Sequence, residues 1–396
     1  MKEKKKLSLP IKIFIGMALG IVAGLICAFA NLGAFTKEWI KPIGTIYVNL
    51  LKFLVVPVVL FSIADGVISL NDLKRVGSVG LKTFIYYMFT TALAVVIGLV
   101  LVNLFKGNFT PLPSAELGEL AYEAKEAPSV MSVIVNIFPD NFFKPMVNSD
   151  MLPVIVIAIF LGAGCLAAGN KGAKIADLIN CGQEVVMKIM MMIIKFTPIG
   201  VFCTIVPVVE ANGTKTIVSL ATQLIILYVA FYGFAIVVYG GAVKLIGKTS
   251  PVKFFKAIMP AALNAFGTCS SSATIPISKR CVEKELGVSN QISSIAIPLG
   301  ATVNMDAVSI LMSFMIMFFA NACGVHVSIS MMIIILLANV LLSVGTPGIP
   351  GGAIASFAAL ATMAGLPAGV LGVYISINTL CDMGATCVNV IGDMAC

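Results

Sequence analysis

The stretch DMGATCVNVIGD, residues 382–393, carries a line of polar side chains within an apolar region near the C-terminus. On a helix with about 100° per residue, Asp382, Thr386, Asn389 and Asp393 fall within roughly a 60° arc. The stripe is about 16 Å long, which is around half the depth of the hydrocarbon core of a bilayer. The sequence therefore predicts a helix with two carboxylates, a hydroxyl and an amide on one face.

The charges of the C-terminal region are all negative. From Leu286 to Cys396 the formally charged side chains are Asp306, Asp382 and Asp393, and the segment contains no Lys or Arg. An ionised carboxylate left alone in a low dielectric is very costly, so such groups are protonated, paired or bound to a cation. We infer that a mobile cation or an amine supplies the positive charge. Protonated carboxylates, or carboxylates at hydrated helix ends, are the alternative.

Composition indicates that the chain lies in a lipid bilayer. Of its 396 residues 59% are hydrophobic and 11% charged, and the mean hydropathy is +1.05. Soluble domains carry roughly a quarter charged residues, so the sequence predicts a polytopic membrane protein. The net charge of +8 comes from Lys and Arg that cluster in short loops, where they orient the chain and do not indicate a nucleic-acid partner.

The cysteines, the histidine and the serine cluster do not indicate catalysis. The ten cysteines lie mostly inside apolar runs without metal-site spacing, so we interpret them as small core residues. His326 lies in a short polar patch typical of a loop. The serines at 270–272 have no nearby His, and no nucleophile–base pair is evident, so the sequence does not predict an enzyme.

Six apolar runs N-terminal to Lys248 are long enough to span a bilayer. They cover residues 11–31, 43–70, 82–105, 150–169, 183–209 and 217–246. Between them, basic loops at 71–81 and 170–182 alternate with the segments 106–149 and the turn near 212. Because basic loops stay on the cytoplasmic side, the N-terminus and both basic loops are predicted to be cytoplasmic.

The rest of the chain predicts two hairpins that enter the membrane and return. Residues 254–277 have basic flanks on both sides and are interrupted by GTCSSS at 267–272. Residues 328–366 are interrupted by SVGTPGIPGG at 343–352, where two prolines and four glycines cannot continue a helix. Each hairpin therefore has a polar tip inside the membrane.

Each hairpin is followed by a span with polar residues near its middle. The first, 291–323, is interrupted at 300–306, and the second, 367–395, contains the polar stripe. Two such units of opposite orientation form an inverted repeat, which brings hairpin tips and unwound backbone together at the midplane. The predicted fold is an all-α polytopic membrane protein with eight transmembrane helices and two re-entrant helical hairpins.

Oxygen ligands suited to Na⁺ occur in three groups. They are Asp393 and Asn389 with carbonyls of Gly300 and Asn304; Thr302 with the tip residues Ser343, Val344 and Thr346; and Asp306 and Asn304 with Tyr87, Thr90 and Thr91. The hydroxyls of the third group also fit a purely local role, because a hydroxyl in a membrane helix often bonds to the preceding turn. The serines of the first tip could hold a substrate carboxylate or simply cap a helix.

Four motifs in this order resemble one family of membrane carriers. The stretches CSSSATIP (269–276), PLGATVNMD (298–306), GIPG (348–351) and the helix 382–393 resemble the dicarboxylate/amino acid:cation symporters, the glutamate transporter family. The resemblance covers nearly the whole chain. It implies a homotrimer that works by an elevator mechanism, with up to three Na⁺ sites at the groups above.

The resemblance also implies how the chain is divided. Residues 1–80 would hold scaffold helices 1 and 2, and residues 81–105 the third helix, which belongs to a moving transport domain. Residues 106–215 would hold scaffold helices 4 and 5 with the external loop. Residues 216–396 would form the rest of the transport domain, with helix 6, hairpin 1, helix 7, hairpin 2 and helix 8.

The sequence departs from the acidic-substrate members at the distal end of the substrate. Those carriers place an Arg three residues after the position of Asp382, where this chain has Ala385, or at the first hairpin tip, where it has Cys269. A Thr that helps to hold the distal carboxylate corresponds to Val308. A second substrate carboxylate would then be buried unpaired, so we expect acidic amino acids to be rejected.

The remaining positions fit a neutral α-amino acid. The resemblance assigns the ammonium to Asp382 with Thr386, and the α-carboxylate to Asn389 with the tip residues Ser270 and Ser271, while Ile349 of the second tip belongs to the same candidate pocket. Alanine, serine, threonine, cysteine and larger neutral side chains all fit this pattern.

We therefore predict a Na⁺-coupled symporter of neutral amino acids in a bacterial inner membrane, with hairpin 2 as the outer gate. A proton-coupled carrier, or a cystine or acidic amino acid carrier of the same family, stays open, as does a gated ion channel. The chain ends at Cys396, shortly after Asp393, which also fits a truncated chain.

Overall fold

The computed structural model describes most of the chain. The described residues are 9–76, 78–105, 135, 138–148, 150–212, 214–346, 348–367 and 369–396. The N-terminal basic cluster and most of the predicted external loop at 106–149 lie outside them.

The described residues form helices joined by short turns, and none of them lies in a strand. The main helices are α1 (Leu9–Phe29), α2 (Lys41–Val76), α3 (Ser78–Phe105), α4 (Met151–Ala167), α5 (Asn170–Ile194), α6 (Thr197–Asn212), α7 (Thr214–Phe234), α8 (Pro251–Thr268), α9 (Ser271–Glu285), α10 (Asn290–Val303), α11 (Asp306–Ala322), α12 (Ile329–Gly345), α13 (Ala353–Met363) and α14 (Gly369–Ala395). Shorter helical pieces are Gly33–Phe35 and the π-helical turn Thr36–Ile40 before α2, Lys144–Asn148 before α4, and the π-helical turn Ala235–Tyr239 followed by Gly240–Leu245 after α7.

The predicted spans correspond to these helices. Within the described residues, six helices are long and apolar enough to cross a membrane, and seven if α5 and α6, which meet at a bend of 56°, count as one span. The fourth predicted span is the 17-residue helix α4, which is apolar but shorter. The seventh predicted span, 291–323, is the pair α10 and α11. The all-helical membrane architecture is therefore confirmed.

The prediction of loops at 71–81 and 170–182 was wrong as to secondary structure. Helix α2 continues to Val76 and α3 begins at Ser78, and residues 170–182 are the first half of α5. The connection from α4 is a sharp turn in which Gly169 has φ +57°. Gly172 lies so close to α4 that a Cβ there would contact the carbonyl oxygen of Cys165. Gly172 and Ile179 are buried while Lys171 is exposed, so the charges occupy the outer face of an amphipathic helix.

Both predicted hairpins are present. In hairpin 1, α8 ends at Thr268 and is followed by Cys269, which takes a left-handed backbone conformation with φ 52°. The next residue, Ser270, starts α9 by accepting a hydrogen bond from the Ala273 backbone N–H at 3.1 Å. In hairpin 2, α12 and α13 are joined across the Gly- and Pro-rich tip at 346–352, as the sequence predicts.

The span after hairpin 1 is unwound where the sequence predicts it. Asn304 and Met305 interrupt the helix between α10 and α11. Nearly every side chain of α11 is buried, so this helix forms the centre of the core. Helix α14 packs against α8, α10 and α11, and α3 packs along α11. A second set of contacts joins α1 to α6, and α2 to α4, α5 and α6.

Candidate functional site

The polar stripe lies on one continuous helix, α14, as predicted from its spacing. All four polar side chains are buried, with Asp382 6% and Asp393 2% exposed. The two carboxylates lie near opposite ends of the stripe, and they contact different parts of the broken helices. They therefore define two distinct polar clusters.

The Asp382 carboxylate faces the tip of hairpin 2. Its Oδ2 accepts a hydrogen bond from the Gly351 backbone N–H at 3.1 Å. Its Oδ1 accepts one from the Thr386 hydroxyl, one turn along the same helix, at 3.0 Å. Residues 285–396 contain no Lys or Arg, and among the described residues no Lys or Arg forms an ion pair with Asp382 within 4.0 Å. The carboxylate is thus held by two neutral donors, and no cationic side chain of the described residues pairs with its negative charge.

The two hairpin tips contact each other beside Asp382. The Ser270 hydroxyl donates to the Gly348 carbonyl oxygen at 3.0 Å, and the Ser272 backbone N–H donates to the same oxygen at 3.1 Å. Ser271, like Cys269, is buried. The structure therefore brings the predicted residues of the first tip together with the tip of hairpin 2.

Asn389 joins α14 to the unwound segment. Its Oδ1 accepts from the Ala307 backbone N–H at 2.8 Å, and its Nδ2 lies 3.4 Å from the Met305 sulfur. The first N–H groups of a helix have no partner within that helix, so the Asn389 amide satisfies one of them at the start of α11. This contact fixes the unwound backbone against the stripe.

The first predicted cation group is assembled around Asp393. The Asn304 amide donates to Asp393 Oδ1 and to the Asn389 carbonyl oxygen, both at 2.9 Å. Gly300 packs so closely that a Cβ there would lie 2.6 Å from Asp393 Oδ1. The Tyr87 hydroxyl joins this group rather than the third one, since it donates to the Ala296 carbonyl at 3.1 Å and to the Asp393 carbonyl at 3.4 Å.

One oxygen of this group has no hydrogen-bond donor. Asn304 Oδ1 is buried without a partner among the described residues. Leaving a buried acceptor unsatisfied costs free energy, so such an atom calls for a ligand or a water. Together with the nearby Asp393 carboxylate it forms a donor set of hard oxygens, which fits Na⁺.

The second predicted group borders a cavity that we call the tip cavity. It has a volume of about 420 Å³, and its lining includes Thr302, Val344, Thr346 and Ile349 on the hairpin side. The Thr302 hydroxyl donates to the Leu299 carbonyl at 3.0 Å, and the Thr346 hydroxyl to the Leu342 carbonyl at 2.8 Å. Hydroxyls that use their proton in this way still present oxygen lone pairs. Ser343 bonds back to Val340 at 2.7 Å and does not line the cavity.

The third predicted group centres on Asp306. The Thr91 hydroxyl donates to its Oδ1 at 2.6 Å, whereas the Thr90 hydroxyl donates to the Tyr87 carbonyl at 3.1 Å, the local role noted above. Tyr239, which the sequence analysis missed, donates to Asp306 Oδ2 at 2.7 Å. The sequence feature that could have indicated Tyr239 is a tyrosine hydroxyl within the apolar run 217–246.

The positions at which the distal substrate group would lie are apolar. Ala385, Val308 and Cys269 are 0%, 5% and 2% exposed. The structure adds that all three of these uncharged side chains are buried.

Hairpin tips and an unwound helix that meet around buried carboxylates define a secondary transporter. The sequence model of the sodium:dicarboxylate symporter family matches residues 9–396. The chain belongs to this family, whose members are elevator-type membrane transporters and not enzymes.

Named relatives carry acidic substrates. The chain is 32% identical over 397 residues to the proton/sodium-glutamate symport protein of Geobacillus stearothermophilus, covering 98% of this chain and 93% of the relative. It is 29% identical to the C4-dicarboxylate transport protein of Bacillus subtilis (98% and 91%) and 27% identical to the proton/glutamate-aspartate symporter of Escherichia coli (98% and 91%).

Gly348→Ala tests the contact between the hairpin tips. A Cβ at Gly348 would collide with the Ala301 carbonyl oxygen and lie 3.1 Å from Ser272 Oγ, so we expect the tips to separate. Overpacking costs about 1–3 kcal/mol, and because this cost opposes closure of the tips we expect uptake to fall by roughly tenfold. Substrate uptake into proteoliposomes is the measurement. Gly267→Ala is the control, since its Cβ would meet nothing within 4 Å, and an equal effect of both substitutions would contradict the prediction.

Proposed function

We propose that the chain is a Na⁺-coupled symporter of neutral amino acids. The observation that carries this proposal is the combination of a buried Asp382 with buried, apolar side chains at Ala385, Cys269 and Val308. A carboxylate selects an ammonium, and the three apolar positions offer nothing to a second carboxylate. On this proposal the chain differs in substrate from its named relatives.

Asp382 binds the substrate ammonium in the proposed complex. Its two oxygens accept hydrogen bonds from neutral donors, the Gly351 N–H and the Thr386 hydroxyl. The substrate ammonium therefore supplies the positive charge that balances this carboxylate. The α-carboxylate lies at the Ser270 and Ser271 tip, where backbone N–H groups begin α9. Asn389 contributes to substrate binding by holding the unwound segment at Asn304 and Met305 in place.

Na⁺ binds at the proposed cation groups. Asp393, Asn304 and the Gly300 backbone support one site, and Asp306 with Thr91 supports another. The oxygens of Thr302 and Thr346 beside the tip cavity support a third. Because Asn389 touches both the Asp393 cluster and the unwound helix, Na⁺ binding and substrate binding order the same segment, which couples them.

The division into a scaffold and a transport domain is part of this proposal. The packing of α2 on α4, α5 and α6, and of α14 on α8, α10 and α11, supports it, with α3 joined to α11. The transport domain moves as an elevator, hairpin 2 gates its outer side, and the scaffold forms a homotrimer. The N-terminus lies in the cytoplasm of a bacterium, and the protein lies in its inner membrane.

Uptake by purified protein in proteoliposomes tests the proposal. Labelled serine, alanine and aspartate are supplied with and without an inward Na⁺ gradient, with choline as the replacement cation. We expect Na⁺-dependent uptake of serine or alanine and no aspartate uptake above that of protein-free liposomes. Aspartate uptake would overturn the substrate class, and uptake that ignores Na⁺ would overturn the coupling ion.

A second candidate is a proton-coupled carrier of acidic substrates. The names of the relatives favour it, since two of those given above mention protons and all of them mention an acidic substrate. This candidate predicts aspartate uptake driven by an inward proton gradient in the absence of Na⁺. The same proteoliposomes, with a pH gradient imposed, distinguish it from the first proposal.

A further inference from the structure

The side of the tip cavity that lies opposite the hairpin tips carries one negative and one positive side chain. On the hairpin side the cavity is lined by Ser272, Thr302 and Gly348, and on the other side by Asp65 of α2 and Lys188 of α5. Gly348 is also the residue whose carbonyl joins the two tips. A substrate that leaves between the tips would therefore enter this cavity and meet Asp65 and Lys188.

Asp65 has one oxygen available. Its Oδ1 accepts from the Asn180 side chain at 3.2 Å, and no described residue donates to Oδ2. The side chain is half-buried, and Asp65 lies four residues before Ser69, where the apolar span that includes α2 ends. A carboxylate within a candidate membrane span usually faces a water-filled space or a ligand, so Asp65 is a candidate for a functional role.

Lys188 does not neutralise Asp65. Among the described residues the ion pair found within 4.0 Å joins Lys144 and Asp140, far from this cavity in sequence. Lys188 is exposed, and it and Asp65 line the same space without pairing with each other. The cavity thus offers a separate anion and a separate cation to whatever enters it.

Ser62 is a further unsatisfied group in the same wall. Its side chain is 3% exposed and lines the cavity, and its hydroxyl has no hydrogen-bond partner among the described residues. A buried hydroxyl without a partner costs free energy that a ligand or a water recovers. This observation is independent of the two charges and concerns a residue of the same cavity lining.

We propose that the tip cavity is a second, weaker binding site for the zwitterionic α-amino acid. Asp65 takes the ammonium, Lys188 takes the carboxylate, and the Ser62 hydroxyl bonds to either group. The inference rests on the proposed function, because it requires a substrate with both α-groups. A single cation would leave Lys188 unmatched and a single anion would leave Asp65 unmatched, whereas a zwitterion satisfies both. The volume of about 420 Å³ lies within the range of small-molecule sites.

Alanine binding to protein in lipid nanodiscs, followed by saturation-transfer NMR, tests the second site. The background is Asp382→Asn, which disables the first site. We expect residual alanine binding in this variant, and a loss of about tenfold in affinity when Asp65→Asn or Lys188→Gln is added. Methylammonium and acetate each carry one of the two charges, so they should compete at least about tenfold more weakly than glycine.

Two exposed residues of α5 outside the cavity lining provide controls. Asp177→Asn and Lys174→Gln remove the same charges, and should leave alanine binding unchanged in the same background. Absence of residual binding in Asp382→Asn, or residual binding that neither Asp65→Asn nor Lys188→Gln weakens, would overturn the second site. If Asp65→Asn does not elute as a folded protein, Lys188→Gln and the competition series decide the result.

The failure of this inference can be told apart from the failure of the proposed function. The proposed function depends on uptake by the unaltered protein. If that protein takes up aspartate and not alanine, the binding experiment is run with aspartate, which carries the same α-ammonium and α-carboxylate. The second site is then supported if Asp65→Asn or Lys188→Gln weakens aspartate binding, and overturned if neither does.

Discussion

Asp382→Asn is expected to reduce neutral amino acid uptake by at least about 100-fold, because removing one partner of a buried charge pair costs about 3–5 kcal/mol. The substitution keeps an oxygen that can accept from the Gly351 N–H and keeps the side-chain volume, so the hairpin tip retains its contact. The charge that meets the substrate ammonium is lost, and the Thr386 hydroxyl must turn, because the new amide NH2 cannot accept its hydrogen bond. Initial rates of labelled alanine or serine uptake measure the effect.

Na⁺ binding separates a loss of substrate recognition from a loss of folding. Asp382 lies away from the Asn304 and Asp393 contacts, so Asp382→Asn protein should still gain thermal stability on addition of Na⁺ without substrate. Uptake near the level of the unaltered protein would show that Asp382 does not carry the ammonium.

Asp393→Asn is expected to raise the Na⁺ concentration for half-maximal uptake by about 100-fold or more, since a buried carboxylate facing a cation is replaced by a neutral amide. Its Oδ1 can still accept from the Asn304 amide, which limits damage to the packing. Na⁺-dependent thermal stabilisation and the Na⁺ dependence of uptake are the two measurements.

The two aspartate variants serve as matched controls for each other. Asp393→Asn should lose stabilisation by Na⁺, whereas Asp382→Asn should keep it. Exposed Asp177→Asn should change neither property. If Asp393→Asn protein keeps the Na⁺-dependent stabilisation and Na⁺-dependent uptake of the unaltered protein, Asp393 does not hold the coupling Na⁺. Asp306 would then be the next carboxylate to substitute.

Much of the fold could be predicted because hydrophobic length and interruptions are read directly from the sequence. The break at 267–272 and the Gly- and Pro-rich segment at 343–352 both became hairpin tips, and Asn304 and Met305 became the unwound segment. Segment 170–182 was mistaken for a loop because its lysines were counted as loop charges. An amphipathic helix along an apolar surface carries such charges on its outer face.

The site could be predicted in its residue types but not in its pairings. Spacing places Asp382, Thr386, Asn389 and Asp393 on one face, since helical geometry is local. The partner of each depends on contacts between distant segments. Tyr87 was grouped with Asp306 by sequence proximity to Thr90 and Thr91, yet its hydroxyl reaches the Asp393 carbonyl.

Tyr239, whose hydroxyl donates to Asp306, is the last residue of the π-helical turn Ala235–Tyr239. Such a turn holds one residue more than an α-helical turn, so it shifts the phase of all that follows. Deleting one residue there would leave the composition of the span nearly unchanged and rotate the adjoining part of the helix by about 100°. The length of this segment is therefore under stronger constraint than its composition, and insertions or deletions at 235–238 would act as site mutations although no ligand group is altered.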